Sequence, residues 1–263
     1  MQVENDILFI TDDSDASFSR SVLARPGVVS LPASAAPTQL SNLSGRPRCV
    51  ILQVGAAVRA QWLRELLRHK WPIACAWPEK CATIAEAEDE DSQWLEQLAA
   101  ATGKRRLPAC VLGAWRVLPA LARLKELVSG GCLGDIHEVA WTWGDELCPS
   151  RRRQWLANDV LRWLAAGTGA LAGQGGAALF SAPQPATGEA LCSIVGSAGQ
   201  AMARLRLPDG AGCVESILLG ARCRRRDFAA VNGLELELTL LWRFAERGQK
   251  TWPLLAMLND GEV

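Results

Sequence analysis

Three carboxylates follow the first apolar run of the chain, within the stretch TDDSD at residues 11–15. The run from Ile7 to Ile10 predicts a buried strand, and a helix is predicted from Ala16 onward. Two aspartates at the end of a first strand can hold Mg²⁺ and support phosphoryl transfer, but that chemistry also needs an acid at the end of the third strand. At the end of the third predicted strand this chain offers Gln53 instead, so the required third acid is absent.

The same residues have a simpler structural explanation. Asp and Ser at the start of a helix cap its free N–H groups and oppose the positive end of its dipole. Asp13, Ser14 and Asp15 stand in that position before the predicted helix. Capping is therefore the favoured interpretation, and an Mg²⁺-dependent, receiver-like site at Asp12 and Asp13 is kept as a weaker alternative.

Bulk composition excludes several classes of protein. The chain has 263 residues and a formal net charge of zero, so no global field favours nucleic acid or an acidic membrane. Its nine cysteines form no C-x-x-C pair and its two histidines lie far apart, so we expect reduced thiols and no metal site. The first residues do not resemble a signal peptide, and no stretch predicts a membrane span. We expect a cytoplasmic protein.

The N-terminal half alternates strands and helices. This order is typical of a Rossmann-like, doubly wound parallel sheet, and we assign it to a domain at residues 1–130. After the first strand and helix, the predicted strands are 28–31, 49–54, 72–77 and 107–112, and the predicted helices are 60–70, 84–102 and 119–129.

The C-terminal half has a different pattern. A strand at 136–143 and a helix at 155–166 precede three strand-like runs at 201–207, 214–221 and 234–241, with a PDG turn between the first two runs. These elements predict a smaller α+β domain at residues 131–263 with an open antiparallel sheet. Trp141 and Trp143 share one face of the first strand, which would suit a face covered by a partner.

Two arginine-rich runs lie in this half, RRR at 151–153 and RCRRR at 222–226. Each could form an anion site. Because the net charge is zero and arginine is common on surfaces, a solvated face or an interface is the favoured interpretation.

The junction between the two halves resembles that of the Gfo/Idh/MocA oxidoreductase family, whose members show an Arg, a Pro three residues on, a helix of the type LK-x-L-(I/V)-x-x-G, and then LG-x-I-x-x-V. Matching residues are Arg116, Pro119, Leu124, Lys125, Leu127, Val128, Gly131, Leu133, Gly134, Ile136 and Val139. A second match, to the family's ID-x-x-RWL-x-G helix, is carried by Asp159, Arg162, Trp163, Leu164 and Gly167. The resemblance implies a Rossmann domain followed by an α/β domain, and NAD(P)-dependent oxidation or reduction of sugars and related compounds.

This sequence departs from the family pattern at its cofactor positions. The family has a G-x-G-x-x-G turn after its first strand, where this chain has TDDSDA. The lysine of the family's EKP motif corresponds to Trp77 in one alignment and to Lys80 in another. The resemblance therefore marks as vestigial cofactor positions Thr11, Asp12, Asp13, Ser14, Gln53 and Trp77.

The family's acid–base motif, D-x-G-x-H-x-x-D, is also altered. Counting back from Asp159 places Arg152 at the first Asp, Gln154 at the glycine and Leu156 at the histidine. Leucine has no proton to give or take, so general acid–base chemistry is lost at that position.

Our leading hypothesis is a degenerate, non-catalytic homologue, a pseudoenzyme that binds a partner protein or a small molecule and needs no cofactor. We expect it to form a homo-oligomer, or to bind a partner protein, through the C-terminal sheet. The alternative is an active NAD(P)-dependent oxidoreductase with a rearranged site. In that alternative Lys80 is the cationic group, Asp159 the orienting group, and Arg116 lies near the substrate.

Overall fold

A computed structural model of the chain describes residues 6–12, 17–76, 98, 100, 102, 107–112, 115–144, 151–174, 188–206, 211–219, 222–247 and 256–257. The chain divides into two compact units, one made of Met1–Ala114 with Leu234–Val263 and the other of Trp115–Gly233. This division differs from the predicted border at residue 130. The helix predicted at 119–129 belongs to the second unit, and the C-terminal segment returns to the first.

The first unit is built on a six-stranded sheet. The strands are β1 Ile7–Thr11, β2 Val28–Pro32, β3 Cys49–Gln53, β4 Ile73–Ala76, β5 Ala109–Leu112 and β12 Ala256–Met257. Five parallel strands have the order β5-β4-β3-β1-β2, and the short β12 pairs antiparallel with β5 at the edge. Four of the parallel strands are buried along their whole length, which explains their continuous apolar sequences.

Helices cover both faces of this sheet. The helices of the unit are α1 Ser17–Leu23, α2 Ala56–His69, α5 Gly233–Arg247 and a 3₁₀ helix at Pro37–Asn42. On one face, Trp62 and Leu66 of α2 pack with Leu8 of β1, and on the other face Val22 of α1 and Leu241 of α5 pack with Phe9. The predicted doubly wound arrangement is therefore confirmed.

The second unit contains a six-stranded mixed sheet and two helices. The elements are α3 Pro119–Ser129, β6 Ile136–Trp143, α4 Arg151–Ala165, β7 Leu171–Gln174, β8 Glu189–Gly196, β9 Gly199–Arg206, β10 Gly212–Leu218 and β11 Arg224–Phe228. The strand order is β11-β10-β9-β8-β6-β7, in which the pair β6–β7 is parallel and every other pair is antiparallel. Helix α3 packs against β9 and β10, whereas α4 packs against β6 and β7.

The family-like junction places its apolar positions in the core of this unit. Leu124, Leu133 and Val139 are fully buried. Gly134 lies between them with φ of +71°, and a Cβ there would collide with the Ser197 side chain and lie 2.9 Å from the Ala198 nitrogen. Glycine adopts the left-handed backbone without strain and has no Cβ to collide with Ser197 and Ala198. This explains why the motif has glycine at this position.

One predicted strand is wrong. The run Leu234–Leu241 alternates Leu and Glu with a period of two, but the structure has helix α5 there. Leu238, Leu241 and Ala245 are buried at helical spacing against the first sheet, and Leu and Glu are both strong helix formers. Strands β7, β8, β11 and β12 have no counterpart among the predicted strands. Strand β7 lies in the segment interpreted as a Gly-rich linker and β8 follows it, β11 consists mostly of charged residues, and β12 has only two residues. Among the described residues, no helix has the length and apolar character needed to span a bilayer.

Candidate functional site

The carboxyl ends of β1 and β3 form the topological switch point of the parallel sheet, where the order of successive strands reverses. The chain moves from β1 to β2 on one side, and β3, β4 and β5 follow on the other. In open α/β sheets, ligands bind in the crevice outside the strand ends at such a switch point. Thr11 and Gln53 are the last residues of their strands and are register partners, so they stand side by side at this crevice.

Three polar side chains at the carboxyl ends of β1 and β3 form a hydrogen-bonded cluster. The Ser19 hydroxyl of α1 donates to Gln53 Oε1 at 2.8 Å, and Thr11 Oγ1 donates to the same oxygen at 3.3 Å. The two hydroxyl oxygens lie 3.4 Å apart. All three residues are buried, so the cluster joins the start of α1 to the ends of both strands through internal hydrogen bonds. Ser19 carried no signal in the sequence, since its partners are remote along the chain.

Asp12 makes a second link across the crevice. Its backbone N–H donates to the Gln53 carbonyl oxygen at 3.3 Å, and its Oδ2 accepts from the Gly55 N–H at 2.6 Å. Gly55 is the residue that precedes α2, and a Cβ at this position would lie 3.3 Å from Asp12 Oδ2. Asp12 thus binds the amide at the beginning of α2, a pairing that the sequence did not reveal. Asp13, Ser14 and Asp15 lie outside the described residues, so their predicted capping of α1 stays a prediction.

The Asp12 carboxylate places negative charge at the described part of the crevice, where it accepts from the Gly55 N–H. A dinucleotide fold receives its pyrophosphate at the turn between β1 and α1, and residues 13–16 of that turn lie outside the described residues. Two like unit charges about 4 Å apart repel by about 4 kcal/mol at an effective dielectric constant near 20. A pyrophosphate placed beside Asp12 would meet that repulsion.

Of the two aspartates of the Mg²⁺ alternative, the structure describes Asp12 only. The Gln53 amide oxygen already accepts two hydroxyl hydrogen bonds. No group of three His, Cys, Asp or Glu side chains arranged to hold a metal ion occurs among the residues that the structure describes.

Arg116 and Asp159 form a buried ion pair in the second unit. The Arg116 Nε and Nη2 atoms donate to the two carboxylate oxygens of Asp159 at 2.8 and 2.6 Å. Only 2% and 4% of the two side chains are exposed, and the guanidinium carbon lies 5.8 Å from the centre of the Trp163 ring. The pair ties the segment before α3 to α4, and Lys125 of α3 adds a 2.6 Å hydrogen bond to the Trp163 carbonyl oxygen.

This pairing bears on the predicted roles of the two residues. Each group satisfies the other in the core of the second unit, which suits a structural role better than contact with a substrate. Leu156, aligned with the family's histidine, is likewise buried in α4. Lys80 and Trp77, the two candidates for the EKP lysine position, lie outside the described residues.

Three indoles cluster at the beginning of α3 and the end of β6. Trp115 stacks on Trp141 with ring centres 5.3 Å apart, and Trp143 lies 5.5 Å from Trp141 and 5.9 Å from Trp115. Trp141 is fully buried and Trp143 is half-buried, so the expectation that a partner covers their face stays a prediction. Its Nε1–H has no hydrogen-bond acceptor among the described residues.

The buried cysteines are unsuited to nucleophilic chemistry. Burial raises the pKa of the Cys75 thiol to about 12, and it also raises the pKa values of Cys49 and Cys192. A thiol reacts as its thiolate, so these three groups stay unreactive near neutral pH.

The chain is similar in fold to known structures, although no sequence match accompanies this similarity. No protein-family model matches the chain, and no curated protein sequence matches it. The transcriptional regulator Gal80p from Kluyveromyces lactis is similar with a TM-score of 0.59 and 11% identity, over 94% of this chain and 82% of that one. A 3-ketoreductase from Actinomadura kijaniata, solved with NADP and TDP-benzene, has a TM-score of 0.54 and 11% identity over 95% and 93% of the chains.

A third similar structure is an inositol dehydrogenase homologue from Azotobacter vinelandii, solved with NADH and myo-inositol. It has a TM-score of 0.52 and 12% identity, over 93% of this chain and 86% of that one. These proteins are of the Gfo/Idh/MocA type. The chain has the two-sheet fold of the Gfo/Idh/MocA-type oxidoreductases, as its junction motif predicted.

Proposed function

We propose that this protein is a non-catalytic relative of the Gfo/Idh/MocA-type oxidoreductases that acts by binding, without a nicotinamide cofactor. The observation that carries the proposal is the link from Asp12 to Gly55 across the switch point. A carboxylate occupies a backbone donor at the crevice where a dinucleotide fold would receive an anionic cofactor.

Three further observations support the proposal. Arg116 and Asp159, the charged residues of the active-enzyme alternative that the structure describes, are buried against each other. Leu156 stands where the resemblance expects a histidine, so no proton can be transferred there. One protein of similar fold is named as a transcriptional regulator, which provides a precedent for a regulatory role on this scaffold.

A nucleotide titration tests the proposal. Purified protein is mixed with NADPH or NADH, and energy transfer from tryptophan to the reduced nicotinamide is followed, with an NADP-binding 3-ketoreductase of the same fold as the positive control. We expect no saturable signal up to about 1 mM nucleotide, which means a binding free energy weaker than about −4 kcal/mol. Saturation at micromolar nucleotide would contradict the proposal and favour the active oxidoreductase.

A matched pair of variants sharpens the result. Asp12→Asn keeps an oxygen acceptor for the Gly55 N–H and removes the negative charge, whereas Lys80→Ala removes the cation of the active-enzyme alternative. If the wild type binds nucleotide and Lys80→Ala abolishes binding, the enzyme alternative gains its predicted residue. If the Asp12→Asn variant binds nucleotide and the wild type does not, the negative charge of Asp12 excludes the cofactor, as proposed.

We also propose that the protein self-associates through the C-terminal sheet. Ile217 and Leu219, at one end of β10, are large apolar residues with 39% and 78% exposure, and such a patch is commonly covered by another protein surface. The double variant Ile217→Glu, Leu219→Glu is expected to shift an oligomer to monomer in sedimentation velocity. Leu23→Glu, at a similarly exposed leucine in the first unit, is the control. A wild type that sediments as a monomer at all concentrations would overturn this proposal.

A further inference from the structure

Strand β11 combines an open sheet edge with an unusual charge. It is the last strand of the second sheet, and no described strand pairs with its outer side. Arg224, Arg225 and Arg226 are consecutive in this strand and exposed, and Arg222 is exposed just before it. An open edge presents unpaired main-chain donors and acceptors that can accept another strand.

The arginines divide between the two faces of the sheet. Arg225 lies on the face of Glu215, its register partner in β10, and contacts that carboxylate at 3.2 Å and Asp227 at 3.0 Å. The hydrogen bond from Arg225 to Asp227 raises the pKa of the guanidinium group. The charge on this face is therefore already balanced within the chain.

The other face carries unbalanced positive charge. Arg224 and Arg226 stand opposite Ser216 and Val214 of β10, and neither makes an ion pair with a carboxylate of the described residues. The Arg226 guanidinium carbon lies 5.3 Å from the centre of the Phe228 ring, on the same side of the strand. Two cations and an aromatic ring thus follow one another at every second residue along an edge.

This charge argues against a second copy of the same strand as the occupant. Antiparallel self-pairing centred on Arg224, Arg225 or Arg226 places an arginine directly opposite its own copy, and like charges in that position destabilise a sheet. A strand with carboxylates at alternate positions has the opposite effect. Its acidic side chains would meet Arg224 and Arg226, and guanidinium–carboxylate pairs are among the strongest hydrogen-bonded pairs in proteins.

We propose that the outer edge of β11 binds an extended acidic segment of a partner protein as an additional β-strand. Main-chain hydrogen bonds to the edge supply affinity, and alternating Asp or Glu residues facing Arg224 and Arg226 supply selectivity. The inference does not depend on whether the switch-point crevice binds a nucleotide, because the two features lie in different units.

The test uses the full chain and dye-labelled peptides in fluorescence anisotropy. The acidic probe is ETEVETE, its charge-reversed counterpart is KTKVKTK, and a third probe is ETEVETE with every backbone amide N-methylated. We expect the wild type to bind only the first probe. Binding should weaken as salt is raised, because the paired charges are exposed.

Two double variants complete the binding experiment, and each replaces two arginines with glutamates, so both change the net charge by the same amount. Arg224→Glu, Arg226→Glu is expected to weaken binding of ETEVETE by about tenfold or more, the loss of at least one good ion pair. Arg20→Glu, Arg48→Glu changes two exposed arginines of the first unit and should leave binding unchanged. Circular dichroism establishes that both variants fold.

Each contrary result overturns the inference. Equal loss in both double variants would show that net charge alone attracts the peptide. Equal binding of the N-methylated probe would show an electrostatic contact without strand addition. Absence of binding by the wild type at millimolar ETEVETE would remove the proposed site altogether.

Discussion

Single substitutions that break the Arg116–Asp159 pair are expected to lower the free energy of unfolding of the second unit by about 3–5 kcal/mol each. The variants are Arg116→Met and Asp159→Leu. Each leaves the remaining charge buried without its bidentate partner, at positions where both side chains are almost fully enclosed. Urea unfolding followed by far-ultraviolet circular dichroism and tryptophan emission measures the change.

The double variant separates the contribution of the ion pair to the free energy of unfolding from the destabilisation caused by one isolated buried charge. Arg116→Met with Asp159→Leu is expected to recover most of the lost stability, because an apolar pair removes the desolvation penalty of both ions. Glu126→Gln, which breaks the exposed Arg123–Glu126 pair at 2.7 Å, is the control and should cost less than about 1 kcal/mol. If both single variants unfold like the wild type, the buried pair is not a structural connection between α4 and the segment before α3.

Truncation of Trp141 is expected to produce the second large loss, about 3–5 kcal/mol for Trp141→Ala. Trp141 is fully buried between two other indoles, so its removal leaves a cavity and deprives Trp115 of its stacking partner. The same urea titration measures the effect, and loss of near-ultraviolet circular dichroism from the stacked indoles provides a second readout.

Phenylalanine at this position distinguishes packing from hydrogen bonding. Trp141→Phe keeps an aromatic ring and removes the buried N–H that lacks an acceptor among the described residues, so part of the packing loss is offset. We therefore expect it to cost clearly less than Trp141→Ala. The half-buried Trp143 provides the control, since Trp143→Ala removes less buried surface. A Trp141→Phe variant as unstable as Trp141→Ala would indicate that the indole N–H is bonded in solution.

The sequence predicts the first sheet well because its strands are covered on both faces. Ile7 to Ile10 and Cys49 to Leu52 are uninterrupted apolar runs, and the structure buries them completely. The prediction of a strand at Leu234 to Leu241 is wrong, because the alternation of Leu and Glu there has the period of a strand although the segment is helical. A helical face of Leu238, Leu241 and Ala245 against the sheet stabilises the helix instead, and a local pattern does not contain that tertiary contact.

The candidate site shows the same limit. The absence of glycines after β1 is visible in the sequence and predicts the loss of a cofactor turn. The bond from Asp12 to Gly55 joins residues 43 positions apart, and Ser19 reaches Gln53 over 34 positions. No spacing rule connects these residues, since only the parallel pairing of β1 with β3 brings them together.

The return of α5 to the first unit has a consequence for the order of folding on the ribosome. Leu238, Leu241 and Ala245 complete the apolar cluster that also contains Phe9, Ile51 and Cys110. A nascent chain that has emerged only as far as β11 holds all five parallel strands and α1, yet the sheet face that carries Phe9 still lacks α5, one of the two helices that cover it. The second unit, encoded between, can close its own core earlier. The first sheet to be synthesised is therefore the last to be fully covered, and until α5 packs on it part of its apolar face stays exposed to contact with other apolar surfaces.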